Sequence, residues 1–239
     1  MKVLVFDIWG DYGHFRKFYT TSSPLTFSFP PPFTIAGILG AIYGSGKDEY
    51  LKVFSMDRCK IALRIINPVK KVRMGINLIN TKDGHWTLYS SQYHEPRTQI
   101  LTEFLKNPCF RIYFAHEVPE VFERLEKLLK EHKCTYTVSL GLSELIADFK
   151  YVGVFDFEQK SGTELVEIHT PIKETNLREN GIEIEMNKRY FKEKMPIKMN
   201  SERIIEKYDD VIFEPDGKTI KANVKEYYQL ENGEIINFF

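Results

Sequence analysis

Cysteine is scarce in this chain, at three residues in 239. Cys59, Cys109 and Cys134 are too few and too far apart for a disulfide framework or a zinc-binding pattern. Long apolar runs are also missing. None reaches the ~18 residues a membrane span needs, so no membrane association is expected. The start, Met1 to Asp7, meets an acid after a short apolar run, which is not the form of a signal peptide. A soluble, cytoplasmic protein is the expectation. A surplus of either charge is absent, with 33 basic and 33 acidic side chains. No internal repeat or low-complexity segment interrupts a globular composition.

Motifs for common chemistries are absent as well. Gly44-Ser45-Gly46-Lys47 resembles the end of a phosphate loop, but Ala41 replaces the required earlier glycine and Asp48 the magnesium-binding hydroxyl. The six histidines form neither a His-Glu helix motif nor a cluster with cysteine, so no metal and no cofactor is expected. No Gly-x-Ser-x-Gly elbow is present.

The balanced total hides an asymmetry. Residues 1–112 carry 15 Lys/Arg against 8 Asp/Glu, and the remainder 18 against 25. From Arg58 to Arg73 there are six cations and no acid. Such a stripe is either a solvated face or a surface for an anionic partner.

Met1 to Ile8 reads as a buried strand. Pro30-Pro31-Pro32 reads as polyproline II, outside any helix. A helix is expected from Thr34 as N-cap, with Ile35, Ile38, Leu39 and Ile42 on one face. Gly37, Gly40 and Gly44 fall on the other. Two glycines inside a helix cost about 1 kcal/mol each relative to Ala. Their bare face would admit a close backbone, either protein or polyanion. Asp57–Ile66 alternates as a strand. Residues 67–96 form a long excursion with the turn Lys82-Asp83-Gly84. Arg97–His116 reads as a hairpin about Asn107-Pro108. Val118–His132 is an amphipathic helix with Pro119 in its first turn. Leu140–Ile146 reads as a turn into a short helix, and Lys150–Phe157 as a strand. Asn232-Gly233 signals a terminal hairpin. The order β-α-β-β-α-β predicts an α+β fold, a ferredoxin-like or RRM-like palm with an inserted thumb hairpin and a small β-rich C-terminal subdomain. The divisions are residues 1–158 (thumb about 67–96) and 159–239.

Lys70, Lys71 and Arg73, followed by Trp86, Tyr89, Tyr93, His94 and Arg97, interleave cations with aromatics as single-stranded RNA binding requires. Metal-free RNA cleavage needs only a proton acceptor and nearby cations, and Tyr43, His14 and His116 would serve if the fold gathered them.

The run Phe29-Pro30-Pro31-Pro32-Phe33-Thr34-Ile35-Ala36-Gly37-Ile38-Leu39-Gly40 resembles the CRISPR-associated (Cas) subunit five family of the RAMP superfamily. Trp9-Gly-x-x-Gly-x-Phe15-Arg16, Arg97-Thr98 and Leu140-Gly141-Leu142-Ser143-Glu144-Leu145 are similar to that family too. The ending is similar to type I-B members. The resemblance implies a non-catalytic RNA-binding subunit of a type I Cascade surveillance complex in antiviral defence. It would cap the 5′ handle of the CRISPR RNA (crRNA). Its partners would be the crRNA, the Cascade backbone subunit and the large subunit, with target DNA met indirectly. Arg16, Lys17, Gly37, Gly40, Lys70, Lys71, Arg73, His94 and Arg97 would face RNA. The alternative implied by type I-C members is a metal-independent endoribonuclease cutting repeat RNA, with Tyr43 and His116 catalytic. Ala115 stands where the lysine of those members would fall.

Overall fold

The computed structural model describes residues 1–20, 22–81 and 95–239. The expected turn at Lys82-Asp83-Gly84 and the aromatics Trp86, Tyr89 and Tyr93 lie outside the described residues. Strand β1 (Lys2–Trp9) buries Val3 to Phe6 completely. Successive side chains of a strand point to opposite faces, so such a run needs cover on both sides. There follow β2 (Tyr12–Gly13), helix α1 (Pro32–Tyr43), the single turn α2 (Tyr50–Val53) and β3 (Cys59–Ile65). Next are β4 (Lys71–Ile79), β5 (Arg97–Lys106), β6 (Cys109–His116), α3 (Pro119–Lys130) and β7 (Asp148–Lys160). Apart from a 3-10 turn at Glu174–Asn176, the remaining elements are strands: β8 (Val166–Ile168), β9 (Ile172–Lys173), β10 (Leu177–Ile182), β11 (Phe191–Met199), β12 (Ile205–Phe213), β13 (Ile220–Val224), β14 (Tyr227–Leu230) and β15 (Ile235–Ile236). Strands dominate and helices are few. None of the described helices is long and apolar enough to cross a membrane.

The main sheet has the order β15-β14-β7-β1-β6-β3, and every neighbouring pair is antiparallel. One face carries Leu4, Phe6 and Ile8 and packs on α1 and α3, through Ile35, Leu39 and Ile42 and through Val121, Leu125 and Leu129. The other carries Val3, Val5, Ala62 and Tyr113, covered by Tyr228, Leu230, Ile236 and Phe238 of the chain's own end. Each such large apolar side chain contributes about 1.5–3 kcal/mol on burial. The strands β11 and β12 add Met195, Ile197, Val211 and Phe213 to the helix-side core. Where the covered face turns polar, Arg111 grips Asp7 with two bonds of 2.8 and 3.1 Å, and Arg64 donates to Glu234 at 2.6 Å.

Three local expectations are corrected. Helix α1 starts at Pro32, with Pro31 as N-cap and no side-chain cap, so Thr34 does not cap it. Proline suits the first helical position because the missing N–H would have had no intrahelical partner there. The hairpin is not Arg97–His116. β5 pairs with β4 and β2, whereas β6 enters the main sheet between β1 and β3. Asn107, at φ +49°, turns the chain from one sheet into the other. Residues 140–146 form no helix but a tight loop closed by Leu140 N–H to Leu145 O at 2.8 Å.

Glycines set several close approaches. Gly141 has φ +101°, and a Cβ there would overlap the His14 carbonyl; a Cβ on Gly10 would lie 2.9 Å from Ile146 O. These two glycines press the 140–146 loop against residues 10–15. In α1 the glycines divide. A Cβ on Gly40 would stand 2.8 Å from Tyr50 Cβ, whereas at Gly37 the nearest atom would be 3.7 Å away.

The glycines predict a graded series in denaturant unfolding. Gly37→Ala gains up to about 1 kcal/mol from helix propensity. Gly40→Ala loses about 1 kcal/mol net, because overpacking outweighs that gain. Gly141→Ala loses about 3 kcal/mol or more from backbone strain and clash.

The carboxy-terminal hairpin also predicts a pH dependence. Burial and the Arg64 charge hold the His169 imidazole below its ordinary pKa. Burial alone would raise Glu234, but hydrogen bonds from Asn232 and Tyr113 and the charges of Arg64 and Arg111 outweigh it and hold the carboxyl low. Both groups therefore resist protonation only in the folded state. Their stability is complete above the unfolded values and lost as pH falls. Melting temperature falls first below about pH 6.5 and again below about pH 4.3. His169→Asn flattens the upper step and Glu234→Gln the lower; profiles unchanged in both variants would refute the assignment.

Candidate nucleic-acid interface

The β4–β5 hairpin is extended by β2, which pairs Tyr12 with Lys106 and Gly13 with Leu105. His14 is buried beside it, with Nδ1 2.7 Å from Glu103 O and its ring tilted on Phe104. Alternation gives the ribbon two faces. Register sets Ile76 against Ile100 and Met74 against Thr102 on one; Arg73 against Glu103 and Ile79 against Arg97 lie on the other.

The first face walls a cavity of about 520 Å³, through Ile76, Leu78, Ile100 and Thr102. The opposite wall is the start of α1, at Pro31, Phe33 and Thr34, and the loop at Gly141, Leu142 and Glu144. A second hollow of about 250 Å³ shares Phe33, Thr34 and Gly141 and continues along α1 over Gly37 to Tyr50, past Thr137 and Ser139. Together they make one groove with apolar, hydroxyl-bearing and bare-backbone stretches. The first turn of α1 itself holds no acid, but Glu144 lines the same cavity, and Pro31 and Pro32 bring no N–H to the helix start. Arg16 stands at the rim, exposed, its guanidinium donating to Thr20 O at 2.9 Å and pairing with no carboxylate among the described residues.

The residues singled out from sequence fall into distinct places. Arg16 and Gly37 meet in the groove. Gly40 is buried under Tyr50, so at that position the bare helix face serves protein packing. Lys17 is bound to Glu193 at 3.1 Å with both side chains largely buried. Burial lowers its pKa, but the Glu193 charge and hydrogen bond more than offset that and raise it. Lys71 donates to Thr26 O at 2.8 Å and lies 3.6 Å from both Glu103 and Glu193. Arg73 lies 3.5 Å from Glu103 and remains mostly exposed. Lys70 and Arg97 are exposed and join no ion pair among the described residues. His94 lies outside the described residues.

Tyr43 and His116 both pack edge to face on Phe54, with centroids 5.6 and 6.2 Å from it. His116 Nε2 donates to Val53 O at 2.9 Å, and Nδ1 accepts Val118 N–H at 3.0 Å. Arg124 covers the Tyr43 ring at 4.4 Å. Among the described residues no group of three or more His, Cys, Asp or Glu could hold a metal ion.

Sequence reasoning missed Glu193, which accepts from Lys17, Ser28 N–H and Ser28 Oγ and ties β11 to the segment that leads into α1. No local pattern marks an acid whose hydrogen-bond partners, Lys17 and Ser28, come from the other end of the chain.

A family model described as CRISPR-associated protein (Cas_Cas5) matches residues 3–212. Among solved structures, a CRISPR protein from Archaeoglobus fulgidus is similar at 17 % identity and TM-score 0.57, over 98 % of this chain and 97 % of that one. A chain in a structure titled CRISPR RNA-guided surveillance complex is similar at 11 % identity and TM-score 0.55, over 92 % of this chain and 91 % of that one. At these identities the likeness is one of fold. A search of the curated proteins finds no match. The motifs at Trp9–Arg16, Phe29–Gly40 and Leu140–Leu145 all border the groove just described, and the family match spans them; the chain belongs to the Cas5 family of CRISPR-associated proteins.

Proposed function

We propose that this chain is a non-catalytic subunit of a crRNA-guided, type I Cascade-like complex of I-B character, and that it caps the 5′ handle of the crRNA. The observation that carries the reading is the continuous groove between the hairpin and α1. Family membership and a neighbour whose title names an RNA-guided surveillance complex support it. The strand order β7-β1-β6-β3, with one helix crossing on either side of β3–β6, supports a ferredoxin-like palm, with β4–β5 as its thumb.

Single-stranded RNA suits such a groove. Its phosphates meet Arg16 at the rim, while Gly37 lets backbone approach the helix closely. Lys17 and Lys71 act as positioning residues, since their charges are already met by Glu193 and Glu103. Arg73 and Arg97, on the ribbon's other face, suit a neighbouring backbone subunit or the RNA as it passes between subunits. The large subunit would meet the exposed periphery, and target DNA would be met only through these partners.

No observation favours the endonuclease reading. His116 has both ring nitrogens engaged with backbone, and Tyr43 is turned toward Arg124. Incubating the protein with labelled repeat RNA in EDTA leaves the RNA intact; specific cleavage lost in Tyr43→Phe would establish the endonuclease instead.

Binding of single-stranded handle RNA at graded salt tests the groove. Arg16→Ala lowers the salt slope by ~0.7, one phosphate contact on a single strand. Lys71→Ala leaves the slope unchanged, since its charge is met internally. Gly37→Ala folds at least as stably as the parent yet binds more weakly. A parental slope in Arg16→Ala, with parental affinity in Gly37→Ala, would remove RNA from the groove.

A further inference from the structure

Three large aromatic side chains outside the groove are unusually open. Phe18 is 49 % exposed, Tyr19 58 % and Tyr208 38 %. They come from opposite ends of the chain and meet. The Phe18 ring lies 5.1 Å from Tyr19, edge to face, and 5.0 Å from Tyr208, tilted. Exposed aromatic area of this size is costly in water unless something covers it.

The cluster has a charged frame. Lys194 Nζ lies 6.0 Å from the centre of the Tyr208 ring and pairs with no carboxylate among the described residues. Lys17 Nζ lies 6.0 Å from the Tyr19 ring, and the carboxylate it touches, Glu193, is neutralised by it. The neighbouring cations on the same ribbon differ. Lys192 pairs with Glu174 and Asp210, and Lys198 with Asp57 and Glu206. Free positive charge is therefore left at the aromatic cluster and withdrawn on either side.

The turn bearing Phe18 and Tyr19 is also fixed to the groove. Thr20 N–H and Oγ1 both donate to Lys17 O, and Arg16 donates to Thr20 O at 2.9 Å. Arg16, at the groove's rim, is two residues from Phe18, at most about 7 Å along the chain. A strand leaving the groove past Arg16 reaches the cluster next.

We infer that Phe18, Tyr19 and Tyr208, with Lys194, form a stacking platform for an unpaired RNA base where the strand exits the groove. Aromatic faces take any base, and the lysine meets the adjoining phosphate. A protein surface is the competing occupant. The unneutralised Lys194 and the continuity with Arg16 favour the polyanion. The inference rests on the groove reading and extends it.

The test uses the full chain and a short oligouridylate carrying one 2-aminopurine, moved along the strand position by position. At one position, wild-type protein quenches the fluorescence strongly. The Phe18→Leu/Tyr19→Leu/Tyr208→Leu variant, apolar but unable to stack, loses that quench and binds about 10-fold more weakly. Its salt slope stays parental. Tyr208→Phe alone keeps the quench. Lys194→Ala keeps the quench and lowers the slope by ~0.7. Arg16→Ala, at saturating protein, also keeps it. All these side chains are partly or largely exposed, and near-parental melting temperatures confirm folding.

If the triple Leu variant keeps both quench and affinity while Arg16→Ala weakens binding, the platform is wrong and the groove reading stands. If that variant instead fails only to join a reconstituted complex, the patch is a protein-docking surface and the inference is overturned. If wild-type protein binds no RNA under any condition, the groove reading falls and the platform with it.

Discussion

A sheet buried on both faces governs this structure. The apolar run of β1 sends Leu4, Phe6 and Ile8 to the helices and Val3 and Val5 to the chain's own end. RRM-type sheets read RNA with aromatics on an open face. Here that face is closed by Tyr228, Leu230, Ile236 and Phe238, and its polar part is held by Asp7, Arg111, Arg64 and Glu234. That closure leaves the edge of the sheet as the open place for a ligand. The hairpin, the start of α1 and the 140–146 loop leave their groove there.

The same closure explains the charge asymmetry. The surplus of cations in the first half is met in part by acids of the second. Glu193 takes Lys17 and approaches Lys71, and Glu234 takes Arg64 and approaches Arg111. These contacts join segments that are distant in sequence, so the halves are bound to each other before any partner arrives. Arg16, Lys70, Arg97 and Lys194 keep no carboxylate partner among the described residues, and Arg16 and Lys194 flank the route proposed for RNA. A count of cations cannot separate the two groups, because neutralisation is decided by tertiary contact.

The periodic elements were legible. The apolar side of α1, the Val121–Leu125–Leu129 stripe of α3 and the Asn232-Gly233 turn are local signals, and each element formed there, with only the start of α1 displaced to Pro32. Errors arose where tertiary context overrides local preference. Arg97–His116 contains two strands joined by a short turn, the usual mark of a hairpin. They separate because β6 completes the main sheet while β5 is taken by β4. Leu140–Ile146 looked helical from its apolar spacing. Gly141, with φ +101° and the His14 carbonyl where a Cβ would go, makes it a clamp on residues 10–15. The aromatic cluster was invisible because Phe18 and Tyr208 are 190 positions apart.

The glycines show how one residue type can serve two ends within a single helix. Gly40 lets Tyr50 pack at a distance no Cβ would allow, which anchors α2. Gly37, one turn earlier, has room for a Cβ at ordinary contact with the Tyr50 ring and faces the groove. The stability lost at both positions, about 2 kcal/mol in propensity, is offset only in part by packing, because packing needs the missing Cβ at Gly40 alone. The remaining loss, at Gly37, has no structural return inside the chain. An unreturned cost on a helix surface that floors a groove is what a site for close backbone contact requires, and it falls between Arg16 at the rim and the Thr137–Ser139 wall.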